Sequence, residues 1–181
     1  MNRLFIACEP PPHQTARAKG FKLLLTQQIC CVIYFPVIPE FEIDGLLPAG
    51  IHWATWNEVE QRFGVNQHRK RMLGGVKRAI DALRNAGCSV LYLDGSFVTD
   101  KLHPRDYDAC WEMAGVTVTK LDPVFLDFSS GRAAQKAKYL GEFFLAYALA
   151  EGPPLYRKYI NFLQVDKETG DPKGIVAIKL T

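Results

Sequence analysis

Leu91-Tyr92-Leu93-Asp94-Gly95-Ser96 decides the reading of this chain, together with Asp106-Tyr107-Asp108, which begins ten positions after Ser96. The first stretch is an apolar strand running into a Gly-Ser turn. The second belongs to a strand expected over residues 105–112, with carboxylates at i and i+2. Strand side chains alternate faces, so Asp106 and Asp108 point one way and Tyr107 the other. Two anions held that close repel unless a cation or a proton sits between them. A divalent metal is the usual answer, and a metal held by carboxylates suits phosphate chemistry. Glycine lets backbone approach a phosphate closely, and the Ser96 hydroxyl with neighbouring N–H groups can hydrogen-bond its oxygens.

Upstream of this pair the sequence predicts two helices. Thr55 is an N-cap with Glu58 as the other half of a capping box, giving a short helix to about Phe63. Asn66 begins a longer helix with Met72, Leu73, Val76, Ile80 and Leu83 as its apolar stripe, closed by Gly87. Arg69, Lys70, Arg71, Lys77, Arg78 and Arg84 are placed away from that stripe. They form a phosphate or nucleic-acid surface or a solvated face; the lack of interleaved aromatic residues favours the solvated face.

Downstream the signals are mixed. Residues 117–121 read as a small third strand and residues 124–138 as mostly helical. Residues 139–147 either continue that helix or form a strand centred on Glu142. Residues 161–165 and 174–180 flank a Lys-Glu-Thr-Gly-Asp-Pro turn, which predicts a closing C-terminal β-hairpin.

Composition limits what such a chain can be. Its 181 residues suit one domain with a real core. An apolar content of 48% with 23% charged residues is that of an ordinary globular protein. A net charge of +3 admits an anionic ligand but does not argue for a nucleic-acid-coating protein. Cys8, Cys30, Cys31, Cys88 and Cys110 show no C-x-x-C and no zinc-like pairing with histidine, so a reducing, cytoplasmic setting is expected. The apolar run over residues 23–38 is broken by Gln27, Gln28 and Pro36, so no membrane span is expected. Glu9 and Pro10-Pro11-Pro12 do not fit a secretory signal. Residues 1–36 have no sustained period and read as a poorly ordered or non-native extension, a natural start at Val37 being the sharper alternative. Residues 37–181 are the coherent domain.

The Gly95-Ser96 turn followed at this spacing by Asp106-x-Asp108 resembles the nucleotidyltransferase superfamily, in its minimal single-domain branch. That branch is related to the nucleotidyltransferase-like components of prokaryotic toxin–antitoxin systems. Ile38-Pro39-Glu40-Phe41, Gly45-Leu46-Leu47-Pro48 and Gly50-Ile51-His52 look like the lead-in of one uncharacterised bacterial subgroup. Gly95-Ser96-Phe97-Val98-Thr99-Asp100-Lys101, Gly131-Arg132-Ala133-Ala134-Gln135-Lys136-Ala137-Lys138 and Asp171-Pro172-Lys173-Gly174-Ile175-Val176 resemble its other marks. The resemblance implies an α+β (α/β-like) nucleotidyltransferase fold, a short mixed β-sheet backed by helices. It implies two Mg²⁺ ions, with Mn²⁺ as an alternative, between the carboxylates and a nucleoside triphosphate. The implied reaction moves a nucleoside monophosphate onto a hydroxyl of a protein or nucleic acid, with a toxin or antitoxin as partner protein.

By motif position, Gly95 and Ser96 hold phosphate while Asp106 and Asp108 hold metal and act in catalysis. Glu142 is the expected third carboxylate, with Asp127 and Asp166 as rivals. Lys101, Arg132 and Lys136 are further nucleotide-binding candidates, although Arg132, Lys136 and Lys138 also read as a solvated helix face. His13, His52, His68 and His103 have no catalytic spacing; Cys88 and Cys110 read as core, and Trp53, Trp56 and Trp111 as packing anchors. The chain departs from the pattern in having Phe97-Val98-Thr99-Asp100 where small members carry arginines and a glycine, and Arg105 where serine is commoner. Two alternatives therefore stay open: a catalytically silent binding module, antitoxin-like, and a metal-dependent glycosyltransferase. The latter is disfavoured because its catalytic domains are generally larger than this chain.

Overall fold

The computed structural model describes residues 38–181, so the expectations for residues 1–36 and for a start at Val37 lie outside the described residues. Five strands form one mixed sheet in the order β1-β5-β2-β3-β4. β1 (Gly50–Ala54) runs parallel to β5 (Gly174–Lys179), which is antiparallel to β2 (Val90–Asp94). β2 is antiparallel to β3 (Asp108–Trp111), and β3 is parallel to β4 (Glu142–Leu145). With four helices, α1 (Trp56–Phe63), α2 (Gln67–Asn85), α3 (Ala133–Tyr139) and α4 (Tyr159–Phe162), this is an α+β fold.

The helix signals act as the sequence implies. Thr55 and Glu58 close a reciprocal capping box on α1, and the Asn66 side chain accepts the Arg69 N–H at the start of α2. At its far end the Gly87 and Cys88 N–H groups bond back to the Arg84 and Leu83 carbonyls, satisfying the last turn. The α2 stripe of Met72, Leu73, Val76, Ile80 and Leu83 packs on Leu91, Leu93, Ala109, Trp111, Phe143, Val176 and Ile178. The opposite sheet face, with Val90, Tyr92, Cys110, Ile175 and Ala177, is covered by Ile160 and Leu163. Burial on both faces explains why β2 reads as a continuous apolar run.

Four expectations are corrected. The strand expected over residues 105–112 is only Asp108–Trp111, so Asp106 lies in the segment before β3 and strand alternation does not set its direction. Residues 161–165 are not the partner of the last strand. Both edges of β5 are taken by β1 and β2, and the hairpin shrinks to a bridge between Val165 and Pro172 next to α4. Residues 117–121 form a 3₁₀ turn (Val118–Lys120) rather than a strand, and the Thr117 N–H bonds to the Ala86 carbonyl instead of a sheet edge. Residues 124–138 are two 3₁₀ turns (Pro123–Leu126 and Ser129–Gly131) before α3, separated from it by Arg132 in a left-handed conformation. The open choice for residues 139–147 resolves as the strand β4.

Register places the charged residues. Asp94, Asp108 and Glu142 are aligned partners across β2, β3 and β4, on the face shared with Tyr92, Cys110 and Phe144. Tyr107 is buried on the helix side, where its hydroxyl donates to the Tyr139 carbonyl at 2.7 Å. Gly141 permits that packing, because a Cβ there would collide with the Tyr107 ring.

Candidate functional site

The row of carboxylates opens into a cleft of about 440 Å³ lined by Gly95, Ser96, Lys101, Asp106, Asp108 and Lys167, among others. Like charges directly opposite on neighbouring strands oppose folding, so a row of three needs compensation. It comes differently at each position. Asp94 is buried and forms a direct ion pair with buried Lys173. Glu142 is held by Lys136 at 2.6 Å and Arg132 at 3.5 Å. Asp108, between them, has Lys167 at 3.8 Å, outside hydrogen-bond reach.

The electrostatics follow this ranking. Burial pushes the Asp108 carboxyl up to about 6; Lys167 opposes that, while Asp94, Glu142 and Asp106 add to it. Burial also raises Asp94, against the pull of Lys173 and of the Gly95 N–H. The Lys136 ammonium is raised by its hydrogen bond to Glu142.

Gly95 gives the site its shape. Its φ of +79° with ψ of −170° lies in a region that side chains other than glycine's hardly enter. A Cβ there would sit 3.0 Å from the Asp108 nitrogen and 3.2 Å from Asp108 Oδ2. The turn therefore lies directly against Asp108. Ser96 opens the 3₁₀ turn Ser96–Val98, with its hydroxyl 3.5 Å from the Asp106 carbonyl.

The chain belongs to a family of unknown function, DUF6932. The match spans residues 39–179. No curated protein and no solved structure matches the chain.

The DUF6932 site assembles most of the expected residues. Gly95, Ser96, Lys101, Asp106 and Asp108 line one cleft. Glu142 lies beside Asp108 in register but is engaged by α3 and its Arg132 cap. Arg132 and Lys136 are thus spent on Glu142, and Lys138 pairs with Asp122, so these three neither line the cleft nor stand as free solvated charges. Of the rival carboxylates, Asp127 accepts from Ser129 at 2.9 and 2.6 Å, away from the row. Asp166 lines the cleft but accepts the Glu168 and Thr169 N–H groups of its own turn.

Among the described residues, no group of three His, Cys, Asp or Glu side chains is arranged to hold a metal ion. Asp106, Asp108 and Glu142 therefore do not form a three-carboxylate cage. The donor set of the cleft still suits a hard cation. Asp106 and Asp108 offer carboxylate oxygens, the charge on Asp108 is under-compensated, and Mg²⁺ is commonly held by one or two carboxylates plus substrate phosphates.

Sequence reading missed Asp94, Lys173, Lys167 and Arg69. Asp94 carried a signal, as the one polar residue in an apolar strand. Arg69 carried one too, since it lies three residues before Met72 and so on the apolar stripe, not away from it. It is buried, with its guanidinium donating to the carbonyls of Phe63, Phe97 and Lys101. Lys173 lies in the Asp171–Val176 segment that carries the resemblance, but nothing there pairs it with Asp94, and Lys167 carried no signal. Among the described residues no helix is long and apolar enough to cross a membrane.

Proposed function

We propose that this DUF6932 protein is a Mg²⁺-dependent nucleotidyltransferase. It moves a nucleoside monophosphate from a nucleoside triphosphate to a hydroxyl of a protein or nucleic acid. The observation that carries the reading is the placement of Asp108, beside Asp106 and directly against the positive-φ turn at Gly95. Asp106 and Asp108 would hold Mg²⁺, or Mn²⁺ in its place, which would supply neutralisation of the triphosphate and of the charge developing on its oxygens. Gly95 lets phosphate approach the backbone, and the Ser96 hydroxyl exchanges its long 3.5 Å contact with the Asp106 carbonyl for a phosphate oxygen. The acceptor oxygen bonds to the α-phosphorus, the bond to the β-phosphate bridging oxygen breaks, and pyrophosphate leaves. The acceptor's proton leaves to solvent through the open cleft, because Asp94 and Glu142 are held in ion pairs and Asp108 would hold the metal. Recruitment of Glu142 as a third carboxylate would require Lys136 and Arg132 to release it. The cytoplasmic setting is supported by cysteines without a disulfide framework. A toxin or antitoxin partner rests on the sequence resemblance alone.

The test is label transfer from ATP, GTP, CTP or UTP, with Mg²⁺ or Mn²⁺, into a lysate. Transfer is expected from the native protein and not from Asp106→Ala or Asp108→Ala; transfer that persists in both variants refutes the assigned site. A second reading, a catalytically silent binding module, is favoured by the ion pairs that occupy Glu142. Nucleotide binding without transfer to any acceptor supports it.

A further inference from the structure

The segment joining α4 to β5 lines the cleft as a strap closed on itself by hydrogen bonds. The Asp166 carboxylate accepts the Glu168 and Thr169 N–H groups, each at 2.9 Å. The Asp166 N–H bonds to the Asp171 carbonyl at 2.9 Å, and Gly170 N–H to the Asp166 carbonyl at 3.0 Å. Its exit is fixed by the Lys173 N–H on the Gln164 carbonyl and by the buried Lys173–Asp94 ion pair. Lys173 is therefore an anchor, and its charge is already spent.

Lys167 is different. Its side chain is 69% exposed, and its ammonium lies 3.8 Å from Asp108 Oδ2. That is the same oxygen that the Gly95 turn faces, where a Cβ on Gly95 would sit 3.2 Å away. The strap thus brings a cation to the oxygen that the Gly-Ser turn lies against, in the same cleft. Lys101, five residues after Ser96, also lines the cleft. Among the described residues, Lys101 and Lys167 are the cleft-lining lysines without a hydrogen-bonded carboxylate.

We propose that Lys167, delivered by the strap, is a polyphosphate-binding residue of this cleft. It supplies positive charge where residues 97–100 carry none, and Lys101 at the end of that segment completes the clamp. The assignment rests on the nucleotide-binding reading of the site. Lys167 exchanges its loose contact with Asp108 for a phosphate oxygen once a divalent cation carries the Asp108 charge. An ammonium makes charge-assisted contacts of this kind as a point charge, without the planar geometry arginine needs.

The experiment measures binding of a fluorescent ATP analogue, and of inorganic tripolyphosphate in competition, with Mg²⁺ present. Native protein, Lys167→Ala, Lys167→Arg and Lys101→Ala are compared. Lys167→Ala is expected to weaken both probes about tenfold, the scale of one charge-assisted hydrogen bond. Lys167→Arg should recover most of the loss, and the salt dependence of binding should be shallower in Lys167→Ala. Its melting temperature should match the native protein's, since the side chain is exposed. If native protein binds and Lys167→Ala binds equally well, the assignment is wrong while the nucleotide site stands. Loss for ATP but not tripolyphosphate places Lys167 on base or sugar and overturns the polyphosphate contact. If native protein binds neither probe, the nucleotide reading fails and this inference fails with it.

Discussion

The two faces of the sheet treat buried polar groups in opposite ways. On the helix side Arg69, Gln135 and Tyr107 each meet neutral backbone partners, although the buried Trp111 Nε1 has no hydrogen-bond partner among the described residues. Arg69 caps three carbonyls, Gln135 bonds the Phe125 and Asp127 carbonyls and the Phe143 N–H, and Tyr107 reaches the Tyr139 carbonyl. On the cleft side Asp94, Asp108 and Glu142 stand in one row and depend on lysines and an arginine from two segments, α3 with its cap and the strap before β5. Satisfied polar networks fix a core, whereas aligned like charges weaken it. The cleft therefore carries a local cost that the helix side offsets, a division expected where a binding site is built into a small domain.

The largest effect should come from breaking the helix side. Arg69→Ala leaves the Phe63, Phe97 and Lys101 carbonyls without their donor and opens a cavity beside the Phe63 and Phe97 rings, over which the guanidinium lies. A loss of about 3–4 kcal/mol is expected, read as a lower denaturant midpoint. Arg69→Lys should be nearly as damaging, because one ammonium cannot reach three carbonyls in a fixed fork. A midpoint within about 0.5 kcal/mol of native in either variant would show that the clamp does not hold the Ser96–Val98 turn.

Arg69 also shows where sequence reading stops. Elements marked by local chemistry were legible: the Thr55–Glu58 capping box, the α2 stripe, the apolar strand before Gly95, and the carboxylates that follow it. What failed depended on non-local competition. Gly174–Lys179 looks like half a hairpin until two sequence-distant strands take its edges. Glu142 was identifiable as a neighbouring carboxylate, but nothing in the sequence says that α3 would bring Lys136 onto it. Charge sign is visible in a sequence, whereas which cation meets which anion is settled only by packing.

On the cleft side the next effect is at the anchor of the strap. Lys173→Met leaves Asp94 buried without its cation, for a cost of about 2–4 kcal/mol. Adding Asp94→Asn should recover most of that loss, because the double variant removes both charges from the interior. If the second substitution restores nothing by thermal denaturation, Lys173 matters through packing rather than through its ion pair.

The smallest effect sharpens the contrast most, because its sign is reversed. Burial and three neighbouring acids raise the Asp108 carboxyl to about 6 in the folded protein, above the ordinary unfolded value near 4. The folded state then binds this proton more tightly than the unfolded state does. Stability should therefore rise as pH falls from above 6 towards 4, and the penalty is complete above pH 6. The shift corresponds to roughly 1–3 kcal/mol. Asp94, raised in the same direction, adds to the trend. Asp108→Asn should thus be about 1–2 kcal/mol more stable than native at pH 7.5 and close to native near pH 4.5. Mg²⁺ should raise the native melting temperature at pH 7.5 by mass action and leave Asp108→Asn almost unmoved. A substitution that destabilises at both pH values would place Asp108 among the structural groups of the helix side rather than in a site kept open for a cation.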